Sequence, residues 1–311
     1  MGRKNKRGQM LNKYTSIISK LPFVGENGEH ISLEGYYICP LCLKSFEIKQ
    51  YEDNIGDILT IEDVPPMSLG GTPRLLTCRS CNNRSGHEID VFLFNEARYI
   101  DEKDDFTKPK KAILLKNDIR LNAIFCSVNG ENIIDIKNNN DPRKINEFKR
   151  SFSEENGSSK FSIKVKRCDY KRDIHRANVA ALKTAYLLAF AKLGYHYILN
   201  ENLENIRQQI LHPDKYIYED EYVIGENDFL PKNFTDGVYL AKINTRKCLA
   251  VIYTLKVKNS LHRHQIVIVL PCPEDTYCEI YSNELNVKKH PNSQLHILGV
   301  AKGVVNGEKE N

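Results

Sequence analysis

Two short cysteine pairs, Cys39-Pro-Leu-Cys42 and Cys78-Arg-Ser-Cys81, constrain this chain more than any other feature. Each pair closes a tight turn, and four thiolates from two such turns satisfy the tetrahedral coordination that zinc prefers. A unit of that size has little apolar core, so a bound metal would supply folding free energy in its place. The chain must then bring residues 39–42 against residues 78–81, around the run Leu59-Thr-Ile-Glu62-Asp63-Val-Pro-Pro66-Met-Ser68-Leu-Gly70-Gly71. Gly70-Gly71 reads as a backbone turn rather than a phosphate loop, because no Walker-type Lys follows it.

Nine cysteines is an odd count, and no hydrophobic signal segment precedes them. The start, Met-Gly-Arg-Lys-Asn-Lys-Arg, lacks the Ser or Thr of a myristoylation site. The most apolar run, Ala185–Ala191, is too short to span a bilayer. The expectation is a cytoplasmic chain with no membrane contact and zinc-bound thiolates rather than disulfides. Cys126, Cys168, Cys248, Cys272 and Cys278 read as ordinary buried thiols.

An apolar fraction of 41% with 27% charged residues is that of a soluble globular chain long enough for two domains. The net charge of +5 is mild. Its distribution says more: Arg3, Lys4, Lys6, Arg7, Lys13 and Lys20 occupy the first twenty residues with no acid among them. A second basic stretch holds Lys160, Lys164, Lys166, Arg167, Lys171, Arg172 and Arg176. Such stretches meet phosphates in some proteins and water in most.

Residues 1–34 read as a basic tail and lead-in, 35–100 as the cysteine-rich unit, and 101–311 as a larger domain recognising a substrate or protein partner. From Cys81 to about Ala97, Ile89, Phe92, Leu93 and Ala97 recur at a helical period. Alternation predicts strands at Ala112–Lys116, Ile119–Val128, Asn132–Ile136 and Phe161–Val165, with Asn129-Gly130 as a hairpin turn. The clearest long helix runs from Arg176 to Leu193 and stops at Gly194, and a shorter one covers Asn202–Leu211. Strands return at Val238–Ile243, Cys248–Lys256 and His264–Leu270. The expected class is α+β: a small treble-clef zinc unit, then a domain with a mostly antiparallel sheet and a long core helix.

From Tyr37 to Asp90 the chain resembles HNH endonucleases of the treble-clef, two-CxxC type. In that family an acidic residue and a His precede a Val/Ile-x-Pro segment and a Ser-x-Gly-Gly turn. The second CxxC follows, with Asn directly after its last Cys and a metal-binding residue about two turns down the helix. Here Glu62 matches the acidic ligand, Pro66 and Ser68-Leu-Gly-Gly71 the turn, and Asn82 the central Asn. His87 or Asp90 matches the ligand from the helix. The resemblance implies hydrolysis of phosphodiester bonds with a divalent ion, Mg²⁺ or Mn²⁺, beside the structural Zn²⁺. It also implies nucleic acid as the partner, DNA ahead of RNA, and suggests bacterial defence. Arg79, Arg84, Lys166, Arg167, Lys171 and Arg172 are the candidate phosphate contacts.

One position departs from the family: Asp63 stands where the general-base His belongs. An imidazole with pKa about 6.5 is half-ready to take a proton at neutral pH, whereas an exposed Asp near about 3.9 is a much weaker base. Asp63 beside Glu62 suits a second metal carboxylate better. Three outcomes stay open: Asp63 as a slow base; Asp63 as a metal ligand with His87 or another group as base; or a degenerate zinc module that binds nucleic acid or a protein without cutting. Plainer roles also stand for each residue: Asn82 as a helix cap, Glu62 and Asp63 as solvated turn residues, His87 as a surface residue. A metal pair at His262 and His264, a second site at Cys272 and Cys278, and base stacking by Tyr195, His196, Tyr197, Tyr216, Tyr218 and Tyr222 are weaker signals.

Overall fold

The computed structural model describes residues 3–21, 23–24, 27–51, 55–102, 105–153, 160–166, 170–217, 223–224, 235–243, 246–258, 260, 262–272 and 295–300. Arg167, Cys168, Tyr218, Tyr222 and Cys278 lie outside them. Residues 1–96 and 173–311 form one compact unit, and residues 97–172 a second. The single domain expected over 101–311 is therefore divided, with its larger part joined to the cysteine-rich region.

The first unit opens with helix α1 (Arg3–Ile18). Leu11, Tyr14, Ile17 and Ile18 are buried along one stripe, and Tyr14 stacks on Phe190 with ring centroids 4.8 Å apart. The basic tail expected for residues 1–34 is thus corrected over its first half: the chain there is a docked amphipathic helix. Two short antiparallel pairs follow, β1 (Phe23–Val24) with β2 (His30–Ile31) and β3 (Tyr36–Ile38) with β4 (Ser45–Glu47). After the single turn α2 (Ile55–Ile58), β5 (Leu59–Val64) pairs with β6 (Thr72–Cys78). The connection holds a cis Val64–Pro65 bond and ends on Gly70, whose φ of +85° is left-handed. A Cβ on Gly71 would lie 1.5 Å from the carbonyl oxygen of Pro65, so only glycine lets the two backbones pass. β6 runs directly into a long helical segment: α3 (Arg79–Ser85), a π-helical turn (Gly86–Asp90) and α4 (Val91–Glu102).

The second unit is a four-stranded antiparallel sheet with one helix. Its strands are β7 (Lys110–Lys116), β8 (Ile119–Val128) and β9 (Glu131–Ile136), then helix α5 (Pro142–Ser153), then β10 (Ser162–Val165), in spatial order β10-β7-β8-β9. Asn129 and Gly130 both have positive φ, as the hairpin signal predicts. Alternation sends Ala112, Leu114, Leu121, Ala123 and Phe125 to one face, where Phe148 of α5 packs among them.

The chain re-enters the first unit as α6 (Ile174–Leu193), capped by the Asp173 carboxylate accepting from the Arg176 N–H and stopped at Gly194, φ +75°. α7 (Tyr195–Ile198) and α8 (Glu204–Leu211) follow. The last sheet has order β11-β14-β13-β12-β15: β11 (Val223–Ile224), β12 (Gly237–Ile243), β13 (Arg246–Leu255), β14 (His264–Pro271) and β15 (Leu295–Val300). α6 is buried nearly all round because it packs on β12, β13 and β14 and also on β5, β6 and the π-helical turn. This shared helix is the physical reason that residues after 173 belong with the cysteine-rich region. The architecture is α+β with small antiparallel sheets, and among the described residues no helix is long and apolar enough to cross a membrane.

Candidate metal centre and buried charge cluster

The β3–β4 hairpin turn presents Cys39 and Cys42, and the end of β6 with the start of α3 presents Cys78 and Cys81. Leu43 adopts a positive φ of 55°, and its N–H donates to the Cys39 carbonyl at 2.9 Å, which folds the first pair into a knuckle. The four sulfurs lie within 4.8 Å of one another, close enough to hold one metal ion. Cys42 and Cys78 Sγ are 3.8 Å apart, matching the edge of about 3.8 Å that a tetrahedron with metal–sulfur bonds of about 2.3 Å requires. The Cys78 N–H donates to Cys39 Sγ at 3.3 Å, a hydrogen bond that favours thiolate at that ligand. Tyrosines hold the surrounding backbone: Tyr186 donates to the Pro40 carbonyl at 2.8 Å and Tyr195 to the Ile38 carbonyl at 2.8 Å.

A second polar cluster lies in the same unit. Glu62 projects from β5 and is 4% exposed, and Asp90 ends the π-helical turn. Both point at the ammonium of Lys183 on α6, which is 1% exposed by its side chain. Lys183 Nζ donates to Glu62 Oε1 at 2.9 Å and to Asp90 Oδ2 at 2.7 Å. Thr77 on β6 donates to the other Glu62 oxygen at 2.9 Å. Asp90 Oδ1 is buried with no hydrogen-bond partner among the described residues.

The charges here are uneven, with one ammonium against two carboxylates. Burial opposes charge on Lys183, yet Asp90 and then Glu62 outweigh it and hold the amine protonated well above the usual lysine range. Burial lifts the Asp90 carboxyl above the usual range; Lys183 opposes that rise and Glu62 adds to it.

The remaining candidate residues do not join this cluster among the described contacts. Asn82 donates to Thr60 Oγ1 at 2.9 Å and reaches toward the Ile61 carbonyl at 3.4 Å, tying α3 to the strand that carries Glu62. It does not cap the helix, whose N-cap position is Cys78. Asp63, the next residue along β5, is half-buried, and the pairing of β5 with β6 shifts register between it and Glu62. His87 and Arg79 are exposed and Arg84 is half-buried. Among the described residues, no three of Glu62, Asp63, His87 and Asp90 bring donor atoms together as the four cysteines do. Lys166, Lys171 and Arg172 belong to the second unit, where Arg172 lies over the Tyr99 ring at 3.6 Å.

Of the weaker signals, Tyr195 and Tyr197 are buried and donate to backbone carbonyls, so they pack the interior rather than offer stacking faces. Tyr216 stacks on His175 at 4.0 Å. Among the described residues His262 and His264 belong to no group that could hold a metal.

Sequence reasoning missed Lys183. A signal for it existed: from Ala177 to Ala191 it is the lone charged residue in an otherwise apolar and polar-neutral helix. A single charge at the centre of so apolar a run has to find a buried partner. Compared with known proteins, the chain matches no family model, no curated protein and no solved structure.

Proposed function

We propose that this chain is an HNH-like zinc protein that binds nucleic acid without cutting it. The observation that carries this reading is the buried Lys183 ammonium lying between Glu62 and Asp90, at 2.9 and 2.7 Å. Glu62 is the acidic ligand that the resemblance assigns to a divalent ion, and Asp90 is one of its two candidates, with His87, for the ligand from the helix. A cation placed there would stabilise the leaving oxygen of a phosphodiester. An ammonium enclosed at that point pairs with both carboxylates but offers no open coordination position to a substrate oxygen. With Asp63 in place of the general-base His, the hydrolytic reaction lacks its usual base, and the position of its metal is taken by the Lys183 ammonium.

What remains is a fold fit for binding. The order hairpin, second cysteine pair, helix supports a treble-clef-like unit, and the four-thiol donor set suits structural Zn²⁺. The basic side chains Arg79 and Arg84 stand on α3, and Arg79 is exposed.

A second reading retains cleavage, because Glu62 and Asp90 do converge on one cation although they come from different elements. In it, Mg²⁺ or Mn²⁺ displaces the ammonium. Incubating the zinc-loaded protein with DNA and RNA in Mg²⁺ or Mn²⁺, beside Glu62→Ala at equal zinc content, separates the two. Binding without metal-dependent cleavage is the expected result. Cleavage by the wild type that Glu62→Ala abolishes would overturn the binding reading and establish the nuclease.

A further inference from the structure

Among its described residues, the second unit leaves one face of its sheet without a helix of its own. α5 packs on the face of Leu114, Leu121 and Phe125. Strand alternation places Lys111 and Ile113 of β7, Asn122 of β8 and Lys164 of β10 on the opposite face. The register aligns Lys164, Ile113 and Asn122 across three strands, and the Lys137 N–H donates to the Asn122 carbonyl at 3.0 Å, bringing Lys137 to the end of that row. One step along, the Lys166 N–H donates to the Lys111 carbonyl at 2.7 Å.

These residues line an open trough of about 590 Å³, whose polar lining is Lys111, Lys137, Lys164, Lys166, Asn122 and Asn139. No acid lines it. Asp135, opposite Ile124 on the same face, marks the boundary of the basic band. Lys111, Lys164, Asn122 and Asn139 are exposed.

We infer that this face is where the protein holds nucleic acid, gripping the sugar–phosphate backbone through Lys111, Lys137, Lys164 and Lys166. The inference rests on the nucleic-acid reading above and moves its contact surface from the zinc unit to the sheet of residues 110–166. Charge complementarity selects the occupant: a row of ammonium groups with interleaved amides matches a chain of singly charged phosphates. Strands about 4.8 Å apart put the ends of the row roughly 14 Å from each other, about four nucleotides of rise along one strand. Among the described residues the lining holds no aromatic side chain, so bases have no stacking platform there and the grip does not depend on sequence.

The test is fluorescence anisotropy of the full zinc-loaded chain with labelled duplex DNA, single-stranded DNA and single-stranded RNA over a salt series. Wild type runs beside Lys111→Gln/Lys164→Gln, each single variant, and Arg79→Gln/Arg84→Gln. Losing two phosphate contacts on duplex DNA should make the slope of log K against log salt shallower by about 1.8, with each single variant giving about half of that. Affinity should fall roughly tenfold at moderate salt in the double variant while melting temperature and zinc content hold. If wild type binds and the sheet variants keep its affinity and slope, the proposal is overturned. Loss in Arg79→Gln/Arg84→Gln would then place the contact on the zinc unit and leave the wider reading standing. If wild type binds none of the three nucleic acids, that reading and this inference both fall.

Discussion

The thiols around Cys39 and the charges around Lys183 share one compact unit and are built on opposite principles. The thiol cluster draws its ligands from two turns, each complete within four residues, and leaves a space shaped for an ion. The charge cluster draws on β5, the end of a π-helical turn and a helix some ninety or more residues further along, and closes on itself. One cluster is four thiols close enough to hold a metal ion, while the other already contains its cation. The difference is between a cluster assembled from two local turns and one whose centre is filled from a distant helix.

The largest effect should come from the metal. A structural zinc on four thiolates is worth on the order of 10 kcal/mol of folding free energy. A strong chelator should therefore release one zinc per chain and unfold the first unit, read by dye-detected zinc and loss of circular dichroism. Release without unfolding would make the thiol cluster dispensable and erase the contrast.

Next comes Lys183→Ala, which strands two buried carboxylates and should cost about 3–5 kcal/mol by denaturant titration. Replacing the whole cluster together, as Lys183→Met with Glu62→Gln and Asp90→Asn, should cost less than the single change. If Lys183→Ala proves neutral, the cluster is not closed, and the nuclease reading gains.

Gly71→Ala should cost about 1–3 kcal/mol, because the added Cβ forces the backbone of Pro65 to move. An unchanged melting temperature would show that the turn above Glu62 yields freely. The smallest effect expected is Asn82→Ala, about 1 kcal/mol from its hydrogen bonds to Thr60 and Ile61. A loss several times larger would place Asn82 at the heart of the charge cluster rather than at its margin.

Much of the local structure was legible in the sequence, since period and turn chemistry act over few residues. The strand expected at Ile119–Val128 matches β8, Asn129-Gly130 makes its hairpin, and Gly194 ends α6. The helix α1 was hidden by its lysines and arginines, although Leu11, Tyr14, Ile17 and Ile18 keep a helical period; composition outweighed spacing in reading them as a tail. α5 was missed because its short apolar set, Ile145, Phe148 and Phe152, follows an asparagine-rich loop that drew the reading toward irregular structure.

By itself the sequence determined the cysteine geometry. A Cys-x-x-Cys pair fixes its two sulfurs within one turn, and only the meeting of the two pairs was left to the fold. The residues that carry the resemblance to HNH endonucleases, Glu62, Asn82 and His87 or Asp90, were likewise read from the sequence. Only tertiary structure decided what the carboxylates face. Lys183 reaches them because α6 packs against β5, β6 and the π-helical turn, a contact between segments far apart in the chain that no local pattern encodes. Burial then makes the choice strict, because a charge removed from water must find its counter-charge wherever the packing brings one.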